Sequence, residues 1–298
     1  MAKKYTNRRT AEEKQEQVEG LLKTLEEGVL NFQYDPEKFK ALLKMQSLMY
    51  SYSFNNVMLI KQQFPNATYV ASFARWKNLN RNVRKGEKAI RVLAPRLKKE
   101  IDEITGEEQS KLIGFIATPV FDVSQTEGEP LPIEAFTLEL NGESDEAIKI
   151  FEWVKLLAEE DDCPVQIGFA NGACGYYSPM KHEIMIDESL SINHRAKTAV
   201  HELVHSRVHR YSTNTSKEEK ESVAEGVAFI ICSYFGLDTS DYSFEYVRGW
   251  SSDNGESLKK YCQIIQKTAQ VLITDFERVS TAIPYKEVAV NESNKKSA

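Results

Sequence analysis

Residues 198–210 read TAVHELVHSRVHR. Three of the chain's 5 histidines fall in this short stretch, with one glutamate among them. His201, Glu202 and His205 form an H-E-x-x-H pattern. On an α-helix, residues i and i+4 share a face, with Cβ atoms about 5–6 Å apart. Two imidazoles at that separation can share one tetrahedral zinc ion. Glu202 is rotated by about 100° from His201. It therefore sits beside the ion rather than on it, where a carboxylate can take a proton from an attacking water. Ala196, Ala199, Val200, Leu203, Val204 and Val208 flank the pattern and predict a helix with a buried face. Two imidazoles and a carboxylate on such a face are costly without a partner. His209 lies about 12 Å beyond His201 along an unbroken helix. That is too far to share the ion, so His209 reads as a surface residue or as a support behind the ligands.

A third ligand is expected from the next helix, within 216–235. It offers Glu221 and Glu225, one turn apart on one face. The pattern E-x-x-A-E ahead of an apolar run resembles the second helix of gluzincins. By that resemblance Glu221 is the third zinc ligand, and Glu225 orients a ligand histidine through its other ring nitrogen. Glu218, Glu219 and Lys220 read as a solvated face. Just before the histidine helix, CGYYSPMKHEIMID (174–187) reads as a hairpin, and an edge strand there could border a peptide-binding cleft. Tyr176, Tyr177, His182 and His194 are candidates for stabilising an oxyanion, each also readable as packing or surface.

Composition bounds the rest. The 298 residues are 41% hydrophobic and 28% charged, with a net charge of −6. That is ordinary globular material, enough for two compact domains. Cys163, Cys174, Cys232 and Cys262 include no C-x-x-C pair, so free thiols in a reducing cytoplasm are expected. The charged start, MAKKYTNRRTAEEKQEQVEG, has no apolar core of a secretory signal. No run is long enough to span a membrane, so no membrane partner is expected.

The acidic average hides a basic segment. From Lys61 to Lys99 there are eleven Lys or Arg and one acid, Glu87. Here Tyr69, Phe73 and Trp76 interleave with Arg75, Lys77, Arg81, Arg84, Lys85, Lys88 and Arg91. Flat rings stack on unpaired bases, and cations neutralise phosphates. No helix-turn-helix or zinc-finger pattern is present, which favours single strands over duplex. The competing reading places the aromatics in a core beneath a solvated basic rim, with Phe73 and Trp76 three residues apart.

The predicted fold class is α+β. Helices are expected at 10–30, after Asp35-Pro36, in FNNVMLIKQQF and in SFARWKNLN. KAIRVLAPRL and KLIGFIATPVFDVSQ read as strands of a small antiparallel sheet, with ITGEE at the turn between them. SQTEGEPLP (124–132) reads as a linker. The helix ESDEAIKIFEWVKLLAEE, three short strands, the two helices above and a helical stretch over 254–278 follow. The expected domains are 1–126 and 127–280, with a flexible tail at 281–298.

The stretch YSFNNVMLIKQQFPNATYVASFARWKNLNRNVRKGEKAIRVLAP, followed by VFDVSQTEGEPLP, resembles the N-terminal domain of ArdC-type antirestriction proteins. GYYSPMKHEIMID, TAVHELVHS and ESVAEGVAF resemble their zincin-like metallopeptidase domain, akin to the ImmA/IrrE peptidases. The resemblance runs over roughly 10–240. It implies a single-stranded-DNA-binding domain joined to a zinc metallopeptidase domain, carried on plasmids and conjugative elements and shielding incoming DNA from restriction. It implies Zn2+ on His201, His205 and Glu221, with Glu202 as catalytic base acting on a protein or peptide substrate. The DNA surface it implies includes Trp76 to Lys88. Lys181-His182-Glu183 departs from the family, which often has an aspartate there. Two alternatives stand beside this reading. One is a cytoplasmic regulatory zinc protease of the ImmA/IrrE type that cleaves a repressor. The other is a DNA-coating protein with a non-catalytic metal site.

Overall fold

A computed structural model describes residues 10–32, 34–101, 108–129, 145–210, 215–237 and 239–282. The chain is mixed helix and sheet, in keeping with the α+β expectation. It divides into two compact units that differ from the expected boundary: 1–140 with 214–269, and 141–213 with 270–298. The expected cut at 126 misses the fact that the segment after the histidine helix returns to the first unit. The expected turn ITGEE and tail 281–298 lie largely outside the described residues.

The first unit opens with three helices. α1 (Ala11–Leu30) starts at a capping box, in which Thr10 and Glu13 satisfy each other's backbone N–H. α2 (Pro36–Leu48) starts at Asp35, whose carboxylate accepts from the N–H groups of Glu37 and Lys38, with Pro36 pre-set in the first turn. α3 (Phe54–Gln63) is capped by Ser53. β1 (Val70–Ala71) and α4 (Phe73–Asn78) follow, then β2 (Arg81–Val83) and the long β3 (Ile90–Ile101) and β4 (Glu108–Asp122). Their sheet runs β1-β4-β3, antiparallel throughout, with a register shift at Arg96/Leu97.

The expected linker is not loop from its start. β5 (Thr126–Gly128) pairs antiparallel with β2, Arg81 opposite Gly128. Gly128 has φ +140°, and a Cβ there would fall 2.4 Å from the Asn80 carbonyl oxygen. Only glycine allows that approach. Two later helices belong to this unit: α7 (Lys217–Tyr234) and the first turns of α8 (Glu256–Ala282). Phe39, fully buried, forms the knot of its core. Its ring lies edge-on to Phe244, Tyr246 and Trp250, with centroids 5.3, 6.3 and 5.4 Å away.

The second unit holds α5 (Asp145–Glu160), β6 (Val165–Gly168), β7 (Gly175–Ser178), β8 (Glu183–Asp187), α6 (Ile192–Val204) and the end of α8. β8 lies between β6, which it pairs in parallel, and β7, which it pairs antiparallel. The expected hairpin is therefore present. Ile150, Val154 and Leu157 of α5 and Ala196, Ala199, Val200 and Leu203 of α6 are fully buried. This apolar face is what the residues around H-E-x-x-H predict.

Candidate functional site

The histidine helix is set up by its entry. Asp187 ends β8, where its carboxylate accepts from the Ala170 N–H (3.0 Å), the Ser189 N–H (3.0 Å) and the Ser189 hydroxyl (2.5 Å). The Ser189 hydroxyl, then the two N–H groups, hold its carboxyl below the usual range. Ser191 caps α6 through the His194 N–H. On α6, His201 and His205 turn their Nε2 atoms toward each other, 3.0 Å apart, with ring centroids at 4.8 Å. Both rings are half-buried. Glu202 is buried, 8% exposed.

The helix does not continue as α. His205–His209 forms a single π-turn. Such turns mark local irregularity and recur at functional sites. No residue pattern in the sequence announced it. His209, expected at the surface or behind the ligands, is 9% exposed, with its Nδ1 2.9 Å from Nδ1 of His205. Arg207, within the same turn, is tied to Asp161 (2.5 Å) and Asp275 (2.7 Å).

Glu221 and Glu225 sit on α7, in the first unit, whereas His201, Glu202 and His205 belong to the second. α7 begins with a capping box between Ser216 and Glu219. Glu219 is not simply solvated: it accepts from Tyr261 Oη and Lys260 Nζ, and these bonds, Tyr261's first, lower its pKa. Tyr246 has its phenol raised well above the ordinary range, by burial first and then by the charge of Glu225.

The oxyanion candidates separate. His194 is exposed on the first turn of α6. Tyr177 Oη lies 3.0 Å from Nδ1 of His182, whose Nε2 faces the Asp161 carbonyl (2.9 Å) and the Arg210 guanidinium (2.8 Å). Tyr177 and His182 thus brace the hairpin. Tyr176 is half-buried on β7, opposite Met185.

The basic segment folds differently from the surface expected of it. Trp76 is fully buried, donates its indole N–H to the Phe121 carbonyl (2.9 Å) and meets the half-buried Tyr69 edge-on at 5.4 Å. It packs with Ala71, Leu79, Val83 and Val123. Trp76 is core, so its ring is not a stacking platform; this corrects its expected role. Phe73, three residues earlier, is 57% exposed. Arg81 is half-buried and spent on β5, donating to Thr126 Oγ1 (2.9 Å) and to the Glu129 carbonyl. Arg84 pairs with Glu87 (2.8 Å) and reaches the Ser124 carbonyl (2.5 Å). Hydrogen bonds from Arg84, then Gln125, lower the Glu87 pKa. Arg91 is half-buried. Arg75, Lys77, Lys85 and Lys88 are exposed as expected.

The architecture is thus a two-unit α+β protein with an H-E-x-x-H helix in one unit and a basic rim in the other. Residues 11–121 match the family model described as the N-terminal domain of anti-restriction factor ArdC. A curated relative, an uncharacterized protein of Bacillus anthracis, is 25% identical over 338 residues, covering 99% of this chain and 57% of its own length. The chain therefore spans little more than half the length of that relative. Among solved structures, the metal-free antirestriction protein ArdC of plasmid R388 matches with a TM-score of 0.48 at 22% identity. The match covers 75% of this chain and 85% of that one. The same protein solved with Mn(II) gives 0.45 at 21% identity, over 74% and 84%. Among the described residues, no helix is long and apolar enough to cross a membrane.

Proposed function

We propose that this chain is an antirestriction protein of a mobile genetic element, combining single-stranded DNA binding with a zincin-like metallopeptidase centre. Protection of DNA entering by conjugation is its role in this reading, and the cytoplasm its place. The match of the N-terminal segment to the ArdC domain supports the antirestriction part. The metal part rests on the pair of ring nitrogens 3.0 Å apart. Two imidazoles on one tetrahedral ion, each about 2.0–2.1 Å from it, stand about 3.3 Å apart. The pair fits an ion with almost no adjustment.

His201 and His205 would hold the metal, with Glu221 as third ligand and Glu225 orienting a histidine. Two imidazoles and a carboxylate suit Zn2+ and also Mn2+. A divalent ion there supplies Lewis acidity. Glu202 acts as the base: its carboxylate takes a proton from the water that attacks a peptide carbonyl and returns it to the leaving amine. Glu202 is buried on α6, next to the two histidines in the chain. Single strands would bind across Phe73, Arg75, Lys77, Lys85 and Lys88, which are exposed residues of the basic segment.

The test is Glu202→Gln in the full chain, assayed for metal-dependent peptide hydrolysis and for survival of incoming DNA. Hydrolysis is expected to fall by about 10²–10⁴-fold. Loss of DNA protection with it ties the peptidase to the function. Unchanged protection with intact single-strand binding would instead leave a DNA-coating protein whose metal site does not catalyse. Protection independent of DNA binding, with hydrolysis of a repressor, would leave the regulatory protease.

A further inference from the structure

We propose that His209 is a positioning residue for His205: its Nδ1 accepts a hydrogen bond from the Nδ1–H of His205 and so keeps the opposite ring nitrogen bare for an ion. The inference rests on the reading that His201 and His205 hold a metal.

A neutral imidazole carries one proton on one of its two nitrogens and one lone pair on the other. A ligand histidine must offer the bare nitrogen. His205 has both nitrogens engaged: Nε2 faces Nε2 of His201 at 3.0 Å, and Nδ1 faces Nδ1 of His209 at 2.9 Å. If Nε2 is the ligand atom, the proton sits on Nδ1. Nδ1 then donates to the bare Nδ1 of His209, whose own proton is on Nε2. One metal bond at His205 thus determines the tautomers of two rings. Ligand histidines commonly have such a partner, which fixes the ring and raises its basicity, and its loss costs about 10–100-fold in metal affinity.

Two further observations place His209 in this role. Its ring is 9% exposed, so water cannot readily take its place. The turn that carries it is anchored by a residue at its centre. Arg207 donates from Nε to Asp161 (2.5 Å) and from Nη1 to Asp275 (2.7 Å), so the π-turn between the two histidines is tied to two other segments of its unit. The His205 and His209 rings meet tilted at 52°, centroids 5.0 Å apart, with the nitrogens turned inward.

The experiment uses the full chain and Zn2+ itself, in competition with a chromophoric chelator. His209→Leu keeps the volume and removes the acceptor, and is expected to weaken Zn2+ binding about 10–100-fold. His209→Asn places a carbonyl oxygen near the position of Nδ1 and is expected to recover most of that loss. The melting temperature of the metal-free protein should be alike in the two variants, which a merely structural role would not produce. In Zn2+-loaded wild-type protein, two-bond 1H–15N spectra should show the proton on Nδ1 of His205 and on Nε2 of His209. Affinity unchanged by His209→Leu, equal loss in both variants, or the opposite tautomers would each overturn the inference. A wild-type protein that takes up no Zn2+ would overturn the metal reading beneath it, a separate and visible failure.

Discussion

In α6, residues four apart in the chain meet in space: the Nε2 atoms of His201 and His205 are 3.0 Å apart. In the basic segment, two aromatic residues three apart are separated by folding: Phe73 is 57% exposed and Trp76 is fully buried. Both pairs sit on helices, and both spacings bring side chains near one face. The difference is in what each reading needed. Convergence of two histidines depends only on helix geometry, which is local. Exposure of an aromatic face depends on which side of a short helix the rest of the unit covers, and that is set by β4 and its neighbours. A ligand pair can therefore be read from spacing, whereas a binding surface cannot.

That comparison can be broken at several scales. The largest effect is expected from cutting the chain after Thr126, where the sequence suggests a domain end. The fragment lacks Phe244, Tyr246 and Trp250, which enclose Phe39. It should lose cooperative unfolding in a denaturant titration, while 1–140 co-expressed with 214–269 should regain it. A sharp unfolding transition in the short fragment would restore the simple linear division.

Next come the two aromatics. Trp76→Ala should destabilise the protein by about 3–5 kcal/mol in chemical denaturation, since it empties a packed site and orphans the Phe121 carbonyl. Phe73→Ala should leave stability nearly unchanged and weaken single-stranded DNA binding by about 1–3 kcal/mol, as loss of one stacked base would. If folded Trp76→Ala protein binds DNA poorly while Phe73→Ala binds normally, the stacking surface is elsewhere.

The smallest effect concerns Asp187, at the entry to α6. Its carboxyl is held below the usual range by the Ser189 hydroxyl and the N–H groups of Ala170 and Ser189. Its folded-state value lies below its unfolded one, so its stabilisation is present above about pH 4 and is lost as pH falls through the folded-state value. Asp187→Ala should therefore lower the melting temperature at neutral pH, and the gap to wild type should close in acid. A gap that does not change with pH would mean that the carboxylate's charge contributes nothing there.

Much of the fold was legible because its signals are short-range. Thr10, Asp35, Ser53, Ser191 and Ser216 mark helix starts through bonds to N–H groups two or three residues on. The alternating CGYYSPMKHEIMID becomes the β7–β8 hairpin. The apolar residues around H-E-x-x-H become the buried face of α6. Within the expected linker, Thr126–Gly128 has no strand pattern of its own. It is a strand only because β2 pairs with it and Gly128 can pass close to Asn80.

The sequence by itself determined the helices, the hairpin and the pairing of His201 with His205, because caps, periodicity and i,i+4 spacing act within a few residues. Only the tertiary structure decided that α7 belongs with the N-terminal helices and that Trp76 faces inward. Those outcomes depend on contacts between segments from 45 to more than 200 residues apart, such as Trp76 with Phe121 or Phe39 with Phe244. No local spacing encodes which distant segment will cover a given face.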